Sequence, residues 1–220
     1  WMVAPPSRRA RDLRTEAEAA EEVARVLGYD RIPSRISLPA RPGNRDPFRD
    51  LAALVSERLR AAGFSEAVST SFSTSEAGAL PLKNPMTLQQ THLRTSLLPG
   101  LMTALGHNQS VGEPGGRLFE IGPVYAGTGE VWCLGVAAEI PLRAMRGALE
   151  SALAALGLEL SAVPDQAGGL ALSCNGTALG TAGTASADRV KAADLRKAPV
   201  LAELALEPLL PLWKRDRRFQ

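Results

Sequence analysis

The chain has 220 residues, of which 45% are hydrophobic, and its 25 Lys and Arg nearly balance 23 Asp and Glu. This balance excludes the basic field of a typical nucleic-acid-binding protein, and no apolar run reaches the roughly 20 residues that span a membrane. Two cysteines are too few for a disulfide framework and lack the neighbouring ligands of a zinc site, so a soluble intracellular protein is predicted. The start at Trp1 and the charged end predict a piece of a longer chain.

The first predicted helix is bounded by a capping signal and a glycine. Thr15 and Glu18 have the spacing of a capping box, and Gly28 supplies a C-terminal stop. Helical spacing places four apolar residues on one face: Ala20, Val23, Ala24 and Leu27. The following segment, from Ile32 to Pro47, is rich in Pro, Arg and Gly and is predicted to be a linker.

A second predicted helix has a clear beginning and end. Asp46 is a favourable cap, Pro47 suits the first helical position, and Gly63 ends the helix. Its predicted buried stripe consists of Phe48, Leu51, Val55 and Leu59. Ala52 and Leu54 widen the apolar arc beyond what one sheet would cover, which predicts a second face for a partner.

The rest of the chain predicts more strands than helices. The predicted strands are Ala67–Phe72, Leu118–Tyr125, Val131–Ala138, Leu170–Cys174, Thr177–Thr181 and one near Val200–Leu206. Asn175-Gly176 is a strong hairpin signal between the fourth and fifth of these. A third helix runs from Leu142 to Leu156, before Gly157. The predicted fold class is α+β, with helices against a mostly antiparallel sheet.

Four acidic residues lie on or just before the first helix: Asp12, Glu18, Glu21 and Glu22. The three glutamates are three and four residues apart, so their carboxylates share a helix face and repel one another. A Mg²⁺ ion, which prefers carboxylate oxygens, could offset this repulsion. The alternative, which spacing alone favours, is a solvated acidic turn paired with Arg14 or Arg25.

The stretch HLRTSLLPGL, His92 to Leu101, places an arginine before two hydroxyl residues and Pro-Gly. Thr95 or Ser96 could cap a helix that continues through the following leucines. In that case Arg94 only docks on a neighbouring carboxylate.

The remaining sequence carries no recognisable catalytic chemistry. Glu120 is the one charge of a strand after Arg117, and it could face a cleft or a sheet edge. The small-residue run from Gly176 to Gly183 lacks the lysine of a phosphate-binding loop. His92 and His107 have no local context that indicates a nucleophile and its base. These observations alone predict an α+β domain without assigned chemistry.

Three groups of residues nevertheless follow one another in a specific order. The first is EEVARVLGYDRIP, Glu21 to Pro33, and the second is LRAAGFSEA, Leu59 to Ala67. The third consists of Leu82–Pro85, Leu93–Leu101, Asn108 and Arg117–Gly122. From about residue 4 to 210, their order and spacing resemble the β subunit of bacterial phenylalanyl-tRNA synthetase.

This resemblance implies a class II synthetase fold without an active site of its own. The expected parts are the tail of the family's fifth domain at 1–39, a catalytic-like core module at 40–212 and a basic linker at 213–220. The implied role is that of a non-catalytic core, which pairs with the catalytic α subunit in a cytoplasmic (αβ)₂ heterotetramer. That complex uses ATP, bound by the α subunit, to attach phenylalanine to tRNA(Phe). No catalytic or cofactor-binding residue is therefore expected in this chain.

The resemblance also implies roles for particular residues. In the α subunit, the counterpart of Arg117–Gly122 carries an arginine for the ATP phosphates, and Glu120 stands at that position here. Arg94 is then expected to support structure and partner contact, and the helix from Asp46 to Ala62 with the next strand is expected to contact the α subunit. A Mg²⁺ site of the assembled complex, shared with that subunit, is expected on Asp12, Glu18, Glu21 and Glu22, with Glu18 in place of the usual Asp.

Some features depart from the family pattern and keep alternatives open. The segment from Ser7 to Arg11 lacks the usual aromatic residue and is one residue longer, which bears on the metal site. The family's editing and anticodon-binding domains are absent from this sequence. The alternatives are a diverged free-standing class II ligase-like paralogue and an RNA-binding fragment that uses Arg8, Arg9, Arg11 and Arg14.

Overall fold

The computed structural model describes residues 2–34, 46–74, 78–112, 115–127, 129–166 and 168–214. The chain divides into two compact units, Trp1–Asn44 and Arg45–Gln220. The predicted boundary after residue 39 falls within 35–45, outside the described residues, as does most of the predicted linker at 213–220. The three-part division therefore stays a prediction.

The first unit is a short helical piece. Its elements are one turn of 3-10 helix at Ser7–Arg9, helix α1 at Glu16–Leu27 and a second 3-10 turn at Tyr29–Arg31. The predicted capping box forms, because the Thr15 hydroxyl accepts from the Glu18 N–H and the Glu18 carboxylate accepts from the Thr15 N–H. Gly28 follows the helix with a φ of +90°. Val23 and Leu27 are 58% and 55% exposed, so the apolar face of α1 is not buried.

A seven-stranded sheet forms the centre of the second unit. The second unit has nine strands in its described residues: β1 (Ser65–Glu66), β2 (Phe72–Ser73), β3 (His92–Leu93), β4 (Arg117–Ala126), β5 (Gly129–Ala138), β6 (Leu160–Pro164), β7 (Leu170–Cys174), β8 (Thr177–Thr184) and β9 (Val200–Ala205). The order across the large sheet is β1-β4-β5-β9-β8-β7-β6. Only the β1–β4 pair in this sheet is parallel, and β2 and β3 form a separate antiparallel pair.

Helices cover both faces of this sheet. They are α2 (Pro47–Ala61), α3 (Leu98–Ser110), α4 (Leu142–Ala154) and α5 (Ala187–Ala192). On one face α2 and α4 bury the larger core, which includes Leu51, Val55, Phe119, Leu134, Leu149 and Leu204. On the other face α3 buries a smaller core, which includes Leu101, Leu105, Leu118, Val124 and Leu201. The face beneath α3 carries the polar residues described below.

Most predicted elements are confirmed. Asp46 caps α2 by accepting the Phe48 N–H, and α4 ends close to Gly157, where the sequence predicts it. Asn175 and Gly176, with φ of +48° and +78°, make the predicted tight turn between β7 and β8. The predicted fold class, an antiparallel sheet flanked by helices after a short helical piece, is confirmed. Every helix in the described ranges is too short or too polar to be a membrane span.

One predicted strand is wrong. Residues 67–72 do not form a strand; β1 ends at Glu66 and β2 begins at Phe72. Between them the backbone turns toward Arg94, whose guanidinium donates to the carbonyl oxygens of Ser69 and Thr70. The alternation of polar and apolar residues at 67–72 could not predict this path. The path depends on hydrogen bonds to Arg94, which is more than 20 positions away in the sequence.

Candidate functional site

The candidate site lies on the three central strands beneath α3. Glu120 of β4 pairs in register with Gly135 of β5, which pairs with Glu203 of β9. Two carboxylates thus flank a glycine across the sheet. The segment from Arg94 to Leu97, which we call the crossing segment, lies over this row and contacts each of the three positions.

Arg94 and Glu120 form a buried ion pair at one end of the row. Their side chains are 7% and 3% exposed, and Arg94 Nη1 lies 2.7 Å from Glu120 Oε1. Besides its bonds to the Ser69 and Thr70 carbonyl oxygens, the guanidinium donates from Nε to the Pro123 carbonyl oxygen at 2.9 Å and from Nη1 to the Ser69 hydroxyl at 3.0 Å. The Ser69 hydroxyl donates to Glu120 Oε2 at 2.6 Å, so both carboxylate oxygens are engaged. The prediction that Arg94 docks on a carboxylate is confirmed.

Two glycines make room for this pair. A Cβ at Gly122 would lie 2.6 Å from Arg94 Nη2, and a Cβ at Gly100 would lie 2.5 Å from the Ser69 hydroxyl oxygen. Both separations are well below van der Waals contact. The glycines of the sequence phrases around Arg94 and Glu120 therefore have a steric role, because any side chain there would displace the polar cluster.

The middle of the row is a close apolar contact. A Cβ at Gly135 would lie 2.7 Å from Leu97 Cβ and 3.0 Å from a methyl carbon of Leu101. Leu97 and Leu101 have no measurable exposure. The sheet surface between the two carboxylates is therefore filled by leucine side chains.

Glu203 closes the other end of the row by binding the start of α3. Its carboxylate accepts the Leu97 N–H at 2.6 Å and the Ser96 hydroxyl at 2.9 Å, and the Ser96 oxygen accepts the Leu98 N–H at 3.1 Å. The N-cap of α3 is Leu97, not Thr95 or Ser96 as predicted, but the Ser96 hydroxyl still binds the N–H of the first helical residue, Leu98. Burial raises the pKa of Glu203, although the hydrogen bonds from Leu97 and Ser96 oppose this shift. Sequence analysis missed Glu203; the available signal was a single acid in an otherwise apolar strand.

The two cysteines and His92 are not arranged as a nucleophile and its base. Both cysteines are buried, and burial raises the pKa of the Cys133 thiol to about 12, with further contributions from Glu203 and Glu207. Such a thiol stays protonated at neutral pH and is a poor nucleophile. His92 contacts the hydroxyl of the adjacent Thr91 at 2.8 Å.

A surface groove of about 540 Å³ runs beside α2, on the face opposite the crossing segment. Its apolar lining consists of Phe48, Ala52, Ala53, Ile121 and Trp132. The rings of Phe48 and Trp132 meet edge to face with centroids 5.3 Å apart. Leu54 does not line this groove; it is half-buried against the larger core. Of the two residues from which the sequence predicts a partner face, Ala52 lines the groove and Leu54 does not.

Three of the four carboxylates predicted to bind Mg²⁺ are engaged by arginines or backbone N–H groups. Asp12 pairs with Arg9, and Glu22 pairs with Arg9 and Arg25; hydrogen bonds from Arg9 and then Arg25 lower the pKa of Glu22 to about 2. Glu18 accepts backbone N–H groups in the capping box, and Glu21 is exposed. Nowhere in the described ranges do three or more His, Cys, Asp or Glu side chains form a metal-binding group. As arranged, these residues do not fit a Mg²⁺ ion, and the site in an assembled complex stays a prediction.

We expect Arg94→Met to lower the free energy of unfolding by about 3–5 kcal/mol, because it leaves Glu120 buried and unpaired. The double variant Arg94→Met/Glu120→Met should lose less, since no buried charge remains. Urea unfolding followed by circular dichroism measures both effects. The control is Arg60→Met, which removes the exposed Arg60–Glu66 pair and should cost at most about 1 kcal/mol. An Arg94 variant no less stable than this control would contradict the structural role of the pair.

We expect the stability of Glu203→Gln relative to the parent chain to rise between pH 4 and pH 7. The folded-state pKa of Glu203 lies above its ordinary value of 4.5, so its contribution is fully present below pH 4.5 and is lost as pH rises. Glutamine keeps an oxygen for the Leu97 N–H, whereas Glu203→Ala does not and should be less stable at every pH. Urea unfolding of the three proteins at several pH values tests this. A difference between the parent and the glutamine variant that is constant with pH would refute it.

Comparison with solved structures identifies the fold. A pyrrolysyl-tRNA synthetase from Desulfitobacterium hafniense superposes with a TM-score of 0.63 at 17% identity, covering 89% of this chain and 76% of that one. A second structure from the same organism gives a TM-score of 0.62 at 16% identity, covering 91% and 78%. The predicted class II synthetase fold is confirmed.

Comparison of sequences identifies the family. Phenylalanine–tRNA ligase β subunits from Coxiella burnetii and Geobacillus kaustophilus are 38% and 36% identical over 144 and 135 residues. The β subunit from Prochlorococcus marinus is 32% identical over 128 residues. These matches cover 57–60% of this chain but only 15–18% of the relatives' length. The family model of the phenylalanyl tRNA synthetase beta chain CLM domain matches residues 32–206, and the chain belongs to this family.

Proposed function

We propose that this chain is the non-catalytic core of the β subunit of a phenylalanine–tRNA ligase. In this role it pairs with a catalytic α subunit, and the complex, an (αβ)₂ heterotetramer, attaches phenylalanine to tRNA(Phe) with ATP. The chain supplies structure and partner contacts, while the α subunit binds ATP and phenylalanine. The proposed location is the cytoplasm, where translation enzymes act.

One observation carries the proposal: the central surface of a class II sheet is filled by the chain's own side chains. Glu120 stands where the family resemblance places an ATP-binding arginine in the α subunit, and Arg94 neutralises it at 2.7 Å. Neither charge is available to a nucleotide phosphate. Leucines fill the space over Gly135, between the pair and Glu203.

The proposed partner surface is the groove beside α2. Besides its apolar side chains, the groove is lined by four charged residues: Asp46, Arg49, Arg60 and Glu66. An apolar centre with charged neighbours is typical of a protein interface. The groove also lies on the helix for which the family resemblance predicts contact with the α subunit.

We expect the chain alone to give no ATP–pyrophosphate exchange with phenylalanine, and the complex with an α subunit of the same source to give exchange. The physical reason is that the class II surface of this chain offers no free arginine or open nucleotide position in its central row. A pyrophosphate-exchange assay on the chain, the α subunit and their mixture tests this. Exchange by the chain alone would support a free-standing ligase-like enzyme instead.

We expect Ala53→Glu to weaken association with the α subunit by at least about tenfold, because a carboxylate buried in an apolar interface costs more than about 1.4 kcal/mol. Ala53 is exposed and lines the groove, so the chain itself should stay folded. The matched control is Ala61→Glu, also exposed on α2 but outside the groove lining. Surface plasmon resonance measures the affinities and circular dichroism the fold. Equal affinities for the two variants would show that α2 contacts the partner elsewhere or not at all.

A further inference from the structure

A cluster of alternating charges in the first unit joins α1 to the segment that precedes it. Arg9 Nη2 lies 2.9 Å from Asp12 Oδ2 and 2.7 Å from Glu22 Oε1, and Arg9 Nε lies 2.9 Å from the same Asp12 oxygen. The second oxygen of Glu22 accepts from Arg25. One guanidinium nitrogen thus bridges two carboxylates that come from different elements.

This geometry occupies the carboxylates in a way that excludes a cation. Mg²⁺ needs ligand oxygens at about 2.1 Å in a nearly octahedral arrangement, and its charge would be adjacent to that of Arg9. Two arginines already balance Asp12 and Glu22, so the cluster has no net negative charge to attract a divalent ion. Glu18 is held at the start of α1, because its Oε2 atom accepts the Arg14 and Thr15 N–H groups, each at 2.6 Å.

We infer that Arg9 takes the place of a divalent cation in this chain, bridging Asp12 and Glu22 so that the first unit is ordered without metal. Magnesium would first have to displace the guanidinium, which would leave Arg9 without its two partners. The inference is independent of the proposed function, since it concerns contacts within residues 9–25 of the chain itself. The sequence predicted pairing with Arg14 or Arg25; Arg25 does pair with Glu22, and Arg9 is a partner that the sequence did not predict.

The test is hydrogen–deuterium exchange of the whole chain, followed over peptides of α1, in EDTA and in MgCl₂ at equal ionic strength. The parent chain should show the same protection in both, within about twofold, since its charge cluster is complete. Arg9→Gln should lose protection over α1 by about threefold or more in EDTA, because two carboxylates lose their shared partner. Peptides from α3 in the second unit serve as an internal standard.

The matched control is Glu21→Gln, a charge change at an exposed neighbour of the cluster, which should leave the protection of α1 unchanged within about twofold. Calorimetric titration of Mg²⁺ into the parent chain provides a second measurement that does not depend on a variant. No saturable binding below about 1 mM is expected. Saturable binding in that range, a Mg²⁺-dependent gain of protection in the parent chain, or an Arg9→Gln variant equal to the control would each overturn the inference.

Discussion

The buried pair of Arg94 and Glu120 is the constraint on which the arrangement of the central sheet depends. A charged side chain can be buried only with a partner and satisfied hydrogen bonds, and here the pair is completed by Ser69 and by the Pro123 carbonyl. These contacts fix the path of the crossing segment, and its end fixes the start of α3 through Glu203. The close contacts at Gly122, Gly100 and Gly135 follow from the same arrangement.

The two most specific sequence phrases of the chain are therefore two sides of one contact. Arg94 belongs to LRTSLLPGL, and Glu120 belongs to RLFEIG. The two paired residues are 26 positions apart in the sequence. Each phrase contains a glycine that makes room for a polar residue of the cluster. A phrase of this kind resembles a catalytic motif because it contains charges and glycines, but here the same residue types serve packing.

Local patterns predicted elements well and distant contacts poorly. The capping residues Asp46 and Thr15 and the Asn175-Gly176 turn act within a few residues, so the sequence reveals them. The failed strand at 67–72 and the unrecognised Glu203 depend on partners far along the chain. The same limit applies at the candidate site. The sequence identifies Glu120 as a carboxylate on a strand, but it does not show that Arg94 is its partner. The resemblance supplied the family, while the contacts explain why the central row has no free charge.

The two units illustrate different uses of arginine–carboxylate pairs. In the first unit the pairs are accessible to water, so they orient short elements without the large penalty that follows from the loss of one partner in a core. In the second unit the pair is sealed, and the loss of either member leaves a charge without solvent. Exposed pairs can therefore be exchanged for other interactions more easily than the buried pair can.

The buried pair also limits how this sequence can change over generations. A single substitution that removes the charge at position 94 or 120 leaves the other charge uncompensated in the interior, and any side chain in place of Gly122 would collide with the guanidinium. Replacing the pair by uncharged residues therefore requires both positions to change together. A route from this surface to a nucleotide-binding one would pass through less stable intermediates, so single mutations do not readily open a site there.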